Sequence, residues 1–377
     1  MLNTGNNIMM KIGILTFHNS RNYGAVLQAY GLKEVLRIKG HQVEIIDYRC
    51  TAIDERKRPF TYRHFKSNPK KYLLLFLNVY FTYRTKVKNF SSFERNCLNV
   101  TKKQFTPNDI ENADFDVIIV GSDQVWSPVI TDGPDPVYWG AYRPVNSRLY
   151  AYGVSSSAIP TLETDQFRDV GQWLNRVNAI SVREERLKEF VETHSNKKAT
   201  VVADPTLLAG REIFEEITSP RLINQPYILL YTVEGSPSLN AIVKKVAALY
   251  NARIIRTGSN GLSNTFKDMQ NGVTYKNASV EEMLSLIKYA ECVVALSFHG
   301  TALSLLYEKD FFSVKGWNMA RVESILSKCS LTNRIIDSPD QVTKDHIDYS
   351  NVTPILNEMK KDSLDWLDRV LNEGDKQ

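Results

Sequence analysis

His299 lies between an apolar run and a glycine, in Ala295-Leu296-Ser297-Phe298-His299-Gly300-Thr301-Ala302-Leu303-Ser304. The run 291–296 reads as a buried strand, and Ala302, Leu303, Leu305 and Leu306 have the spacing of a helix laid on it. The imidazole then belongs at the strand's carboxyl end, beside helix N–H groups that have no intrahelical partner and suit an anion. Gly300 lets such a ligand approach the backbone. A hydrogen-bonded structural histidine is the competing reading.

Three further strand-like runs end in polar residues. Val117-Ile118-Ile119-Val120 breaks at Gly121 into Ser122-Asp123, Ala179-Ile180-Ser181-Val182 runs into Arg183, and the run 11–17 leads to Asn22-Tyr23-Gly24 at the start of a helix. Open parallel sheets bind ligands outside the carboxyl ends of their strands, so His, Asp, Arg and Asn are expected to converge on one cleft. Bland alternatives stay open for each. Asp123 can cap a following helix, Arg183 can pair locally with Glu184 or Glu185, and Asn22 can act as a plain N-cap. Asp204-Pro205 reads as a hinge.

The elements that position these residues alternate strand and helix twice, with a turn-rich break around 219–226, which argues for parallel sheets covered on both faces. The expected organisation is α/β, with a first Rossmann-like domain over 10–205 carrying a basic helical insertion over 54–100. A second such domain spans 206–345, and a C-terminal helix covers 353–372. A length of 377 residues suits two or three domains.

In this order and at these separations the motifs resemble the polysaccharide pyruvyl transferase family. The matching pieces are Asn22-Tyr23-Gly24-Ala25-Val26-Leu27-Gln28, Gly121-Ser122-Asp123-Gln124-Val125-Trp126, Ser181-Val182-Arg183-Glu184, Ala203-Asp204-Pro205-Thr206 and Ser297-Phe298-His299-Gly300-Thr301. The resemblance implies a GT-B-like fold, with two Rossmann-like domains facing a cleft and the last helix packing back across the first. It also implies transfer of the pyruvyl group of phosphoenolpyruvate onto sugar hydroxyls as a ketal, in cell-surface or capsular polysaccharide biosynthesis.

The implied roles follow residue by residue. Catalysis falls to His299 and Asp123, donor binding to Arg183, His299, Gly300, Thr301 and Ser297, and acceptor binding to Asn22, Tyr23, Gly24 and Asp123. Where the family carries Arg-Leu-His, this chain has Ser297-Phe298-His299, which leaves the donor's identity open. Phosphoenolpyruvate is the expected donor substrate, and neither a cofactor nor a metal is expected. Two alternatives remain: a GT-B-type nucleotide-sugar glycosyltransferase, for which Gly258-Ser259-Asn260-Gly261 is a weak glycine loop, and a non-catalytic glycan- or anion-binding protein of the same fold.

Composition narrows the classes. Hydrophobic and charged fractions of 43% and 24% are ordinary for a globular protein. Cys50, Cys97, Cys292 and Cys329 are scattered without metal-ligand spacing, and neither His-Glu-x-x-His nor a Walker loop occurs. No export signal is read at the N-terminus, so a cytoplasmic protein is expected.

Charge is uneven. Ten Lys and Arg residues and no Asp or Glu lie from Arg56 to Phe93, so the rest of the chain is net acidic against a total of +5. The apolar run 72–81 inside this segment is too short to span a bilayer, which takes roughly 20 residues. Two readings stay open: helices with solvated basic faces, or peripheral contact with the inner face of a membrane, where a polyprenyl-diphosphate-linked glycan acceptor would be found. No nucleic-acid module accompanies the segment.

Overall fold

The computed structural model describes residues 8–56, 84–158, 167–232, 238–257, 272–275, 277–316 and 319–372. Most of the basic segment, its apolar run and the 258–261 glycine loop lie outside them.

The first domain is a seven-stranded parallel sheet in the order β3-β2-β1-β4-β5-β6-β7. Its strands are β1 (Lys11–Leu15), β2 (Gln42–Tyr48), β3 (Val100–Phe105), β4 (Val117–Val120), β5 (Arg148–Val154), β6 (Ala179–Val182) and β7 (Ala199–Val201). The central strands are apolar beyond their first residues because helices cover both faces of a parallel sheet; all four residues of β4 are buried. The second domain is a six-stranded sheet in the order β10-β9-β8-β11-β12-β13. It comprises β8 (Tyr227–Tyr231), β9 (Arg253–Thr257), β10 (Gly272–Thr274), β11 (Cys292–Ala295), β12 (Asp310–Val314) and β13 (Ile335–Ile336). Every pairing in both sheets is parallel.

Register brings the strand ends level. Leu15 pairs with Val120, Val154 with Val182, and Ala295 with both Tyr231 and Ser313. The polar tips that follow therefore meet at one edge of each sheet. The strand order reverses at β1/β4 and at β8/β11, which is where doubly wound sheets open a crevice.

The domains are joined by more than the linker. Tyr23 Oη donates to Ala278 O at 2.6 Å, Asn89 Nδ2 donates to Asn277 O at 2.7 Å, and one apolar cluster runs from Ile12 and Tyr23 to Tyr231 and Leu303. The helix Tyr349–Asn372 starts on the second domain, where Tyr349 Oη donates to Lys309 O at 2.6 Å, and ends on the first, where Tyr150 Oη donates to Val370 O at 2.7 Å. Among the described residues, no helix is long and apolar enough to cross a membrane.

One boundary shift matters for the chemistry. The helix expected to follow β11 begins at Phe298, because the Ser297 side chain accepts from Gly300 N and caps it. His299 therefore sits in the first helical turn.

Candidate active site

Arg183 leaves the end of β6 with its side chain 3% exposed. Its Nε donates to Ser122 Oγ at 3.0 Å and to Gly153 O at 3.1 Å, and its Nη2 donates to Ser122 Oγ at 2.8 Å. The Ser122 loop is itself fixed. Gln28, from the helix Tyr23–Ile38, accepts from Ser122 N at 3.2 Å and donates to Thr16 Oγ1 at 2.8 Å, while Thr16 Oγ1 donates to Ser122 O at 3.0 Å. Gly121 is required at this tip, since at φ +112° a Cβ would lie 2.4 Å from Tyr152 O. The guanidinium is thus clamped on one edge, while its buried Nη1 has no partner.

Its charge partner is Asp204, not Glu184 or Glu185. Arg183 Nη2 and Asp204 Oδ2 form an ion pair between side chains 3% and 0% exposed. Asp204 also caps the helix Pro205–Ala209, its Oδ1 accepting from Thr206 N at 2.8 Å, and its Oδ2 lies 3.6 Å from His299 Nε2. Burial alone would raise this carboxyl's pKa, but Arg183, His299 and Thr206 outweigh it and hold the group well below the ordinary carboxylate range. The residue expected to be a hinge is an ionised anchor that ties an arginine of the first domain to a histidine of the second.

His299 packs against Gly24 of the first domain. A Cβ on Gly24 would sit 2.1 Å from its Nδ1, so the glycine is what lets the imidazole reach this position, and the buried Nε2 has no hydrogen-bond partner. Phe298, beside it, carries two cations: the guanidinium carbons of Arg183 and Arg321 stand 5.5 and 5.4 Å from its ring centroid.

Arg321 was not expected from the sequence. It belongs to the helix Ala320–Lys328, is 9% exposed, and faces the first domain with Nη1 4.0 Å from Asp123 Oδ1 and Nε 4.0 Å from Glu184 Oε1. At those separations neither contact is a hydrogen bond, and buried Nε is unpartnered. The chain lacks an arginine at 297 but presents one from another element beside the same phenylalanine.

The structure separates the remaining sequence candidates. Asp123 reaches the cleft; it does not cap the next helix, whose N-cap is Ser127. It sits at φ +77°, and its backbone bridges to Val154. Asn22 is an N-cap, accepting from Gly24 N at 2.9 Å. Tyr23 is buried against Phe90 and Tyr231, its hydroxyl engaged by Ala278 O, so it is a contact between domains. Thr301 turns inward, its Oγ1 2.7 Å from Ser313 Oγ, and Gly300 packs against Tyr231 and Ala295. Ser297 contributes its cap. Arg183, His299 and Asp123 therefore come together, joined by Asp204, Glu184 and Arg321.

Residues 22–317 match the polysaccharide pyruvyl transferase family. The chain belongs to that family. The match begins at the Asn22 cap and takes in every cleft residue named above except Arg321, so Arg321 had no family motif to mark it. No curated protein sequence matches the chain.

Solved structures share the fold of this pyruvyl transferase family member. The UDP-GlcNAc 2-epimerase of Methanocaldococcus jannaschii, solved with UDP-GlcNAc and UDP, has a TM-score of 0.51 at 13% identity, covering 97% of this chain and 100% of that one. The S. aureus MnaA–UDP structure gives 0.53 at 10% identity over 96% of each chain. The UDP-N-acetylglucosamine 2-epimerase of Rickettsia bellii gives 0.51 at 10% identity, covering 96% of this chain and 99% of that one. At such identities the likeness is one of fold, two parallel-sheet domains in a GT-B-like arrangement. Among the described residues, no group of three or more His, Cys, Asp and Glu side chains is placed to hold a metal ion.

Proposed function

We propose that this enzyme transfers the pyruvyl group of phosphoenolpyruvate to a pair of sugar hydroxyls, forming a ketal during assembly of a cell-surface or capsular polysaccharide. The observation that carries the reading is the pair of unpartnered buried donors, Arg183 Nη1 and Arg321 Nε, on either side of Phe298 at the strand ends, with His299 beside them. Buried donors are ordinarily paired, so two orphaned guanidinium groups at one cleft argue for an anionic ligand. A donor bearing both a carboxylate and a phosphate uses two planar guanidinium forks, and Arg321 supplies the second. His299, oriented by Asp204, reaches the donor, and Asp123 orients an acceptor hydroxyl. The scheme uses no metal or organic cofactor. The acceptor is placed on a polyprenyl-diphosphate carrier, with the basic segment 56–93 resting on the inner membrane face of the cytoplasm.

The test is thermal stability of the purified protein with phosphoenolpyruvate and, separately, with nucleotide sugars. A ligand selective for the folded state stabilises by RT ln(1 + [L]/Kd), about 2.7 kcal/mol at a hundredfold excess over Kd. Phosphoenolpyruvate should raise Tm and Arg183→Lys should diminish the shift. A shift with UDP-sugars alone would assign the cleft to a nucleotide-sugar transferase.

A further inference from the structure

Ketal formation from phosphoenolpyruvate moves two protons. C3 takes one, and C2 then accepts the oxygen of the first hydroxyl, which loses its proton. The C2–O bond to phosphate breaks with its electron pair leaving on the phosphate, which takes the second proton, and the second hydroxyl adds to C2 and loses its own. Two hydroxyl protons are released and two are consumed, so atoms and charge balance with no further reactant. A site of this kind needs two groups that hold and return a proton, and His299 is only one.

We propose that Glu184 is the second proton-handling residue, protonating C3 and recovering a proton from the first hydroxyl, while His299 serves the departing phosphate. This rests on the phosphoenolpyruvate reading. Glu184 follows Arg183 at the end of β6, its side chain 11% exposed. Its two oxygens have different surroundings. Oε1 accepts from Ser155 Oγ, whereas buried Oε2 has no partner. A protonated carboxyl fits that asymmetry, with the acceptor oxygen held and the O–H left to reach a ligand.

The groups facing Glu184 from the surrounding elements are Ser155, Arg183, Asp123 and Arg321. Asp123 stands on the same domain as Glu184 and Arg321 comes from the other, with Arg321 Nη1 4.0 Å from Asp123 and Arg321 Nε 4.0 Å from Glu184. Burial raises the Glu184 pKa above its ordinary value, against the lowering pull of Arg321, Ser155, Arg183 and the backbone N–H of Ser156. The opposite holds at Asp204, which is buried too but hydrogen-bonded and paired into ionisation. Two buried carboxyls with environments that push them apart are how a site separates an anchor from an acid.

Glu184→Gln keeps the acceptor to Ser155 and removes the proton. With phosphate release from phosphoenolpyruvate measured over a panel of methyl glycosides, kcat should fall about 10²- to 10⁴-fold, while the thermal shift by phosphoenolpyruvate persists. The wild-type rate should decline as pH rises through the Glu184 pKa. Glu184→Gln should lose that limb, and Glu184→Asp should restore it at reduced rate. Infrared spectra at neutral pH give a readout that needs no acceptor: the carbonyl band of a protonated carboxyl should appear in the wild-type-minus-Glu184→Gln difference. Absence of the band, or wild-type kcat and pH profile in Glu184→Gln, overturns the assignment. Loss of the phosphoenolpyruvate thermal shift in the wild-type protein would instead overturn the donor.

Discussion

Gly24→Ala probes a tight contact between the two domains. The added Cβ would lie 2.1 Å from His299 Nδ1, 2.3 Å from Cγ and 2.8 Å from Cβ. An ordinary contact begins near 3.4 Å, so the imidazole must withdraw by about 1.3 Å, and its own Cβ is among the crowded atoms, which makes ring rotation insufficient. Gly24 lies in the first turn of a helix, so alanine gains intrinsic propensity of up to about 1 kcal/mol. Overpacking costs about 1–3 kcal/mol. The cleft can also relieve the overlap by parting slightly, and net stability should then fall by no more than about 2 kcal/mol in denaturant melts. Activity has no such escape. Displacing His299 by about 1 Å from its place beside Asp204 should lower turnover on the order of 10²-fold. The assay pairs urea unfolding with phosphate release from phosphoenolpyruvate. A stable Gly24→Ala protein with wild-type turnover would show that the His299 position does not matter to the chemistry.

Other substitutions test separate parts of the site. Asp204→Asn strips the buried partner from Arg183 and should cost about 3–5 kcal/mol near neutral pH in calorimetric melts. The wild-type carboxyl's folded pKa is depressed, so its contribution is fully present above the unfolded value of about 3.9 and fades as pH falls through the folded value. The gap between the two proteins should therefore narrow in acid, and a constant gap would refute the ion pair. Arg321→Lys should raise the apparent KM for phosphoenolpyruvate more than it lowers kcat, since a point charge cannot reproduce the planar fork; an unchanged KM would remove Arg321 from the donor site. Replacing Lys70, Lys71 and Arg84 with glutamine should weaken sedimentation with anionic vesicles at low salt, where surface attraction is strongest, and leave turnover of a soluble acceptor intact. Equal sedimentation would end the membrane proposal.

The fold was legible in the sequence because the apolar runs that become β1, β4, β8 and β11 are short and nearly uninterrupted, and those of β1, β8 and β11 are followed by helical spacing, which is what burial on both sides of a parallel sheet demands. The strand tips carrying Asp123, Arg183 and His299 were legible for the same reason. What was not legible depends on neighbours distant in sequence. β3 (Val100–Phe105) is polar and half-exposed at the edge of its sheet, so no apolar run announced it. Asp204-Pro205 has the spelling of a turn, and only the Arg183 and His299 side chains make it an anchor. Arg321 lies in the helix Ala320–Lys328, whose Glu323 and Lys328 suggest a solvated face; its burial comes from the opposing domain. Thr301 was assigned to the donor through the 297–301 motif, whereas the helix begins three residues earlier, at Phe298, and turns its side chain to Ser313.

The arrangement also explains how the enzyme can hold two arginines in one buried site. Arg183 is neutralised at close range by Asp204 and held by Ser122 and Gly153 O, so its charge is balanced whether or not a ligand is bound. Arg321 is not. Its two carboxylate neighbours stand at 4.0 Å, one of them is pushed by burial toward its neutral form, and Arg183 repels it. A desolvated cation met only by the Phe298 ring and by carboxylates at 4.0 Å is costly, and an anion placed between Arg321 and Arg183 Nη1 would offset that cost. An anion bound there would gain by relieving Arg321, which sits on the second domain and faces the first. The same anion would stand beside Glu184, a buried carboxyl whose environment favours keeping its proton.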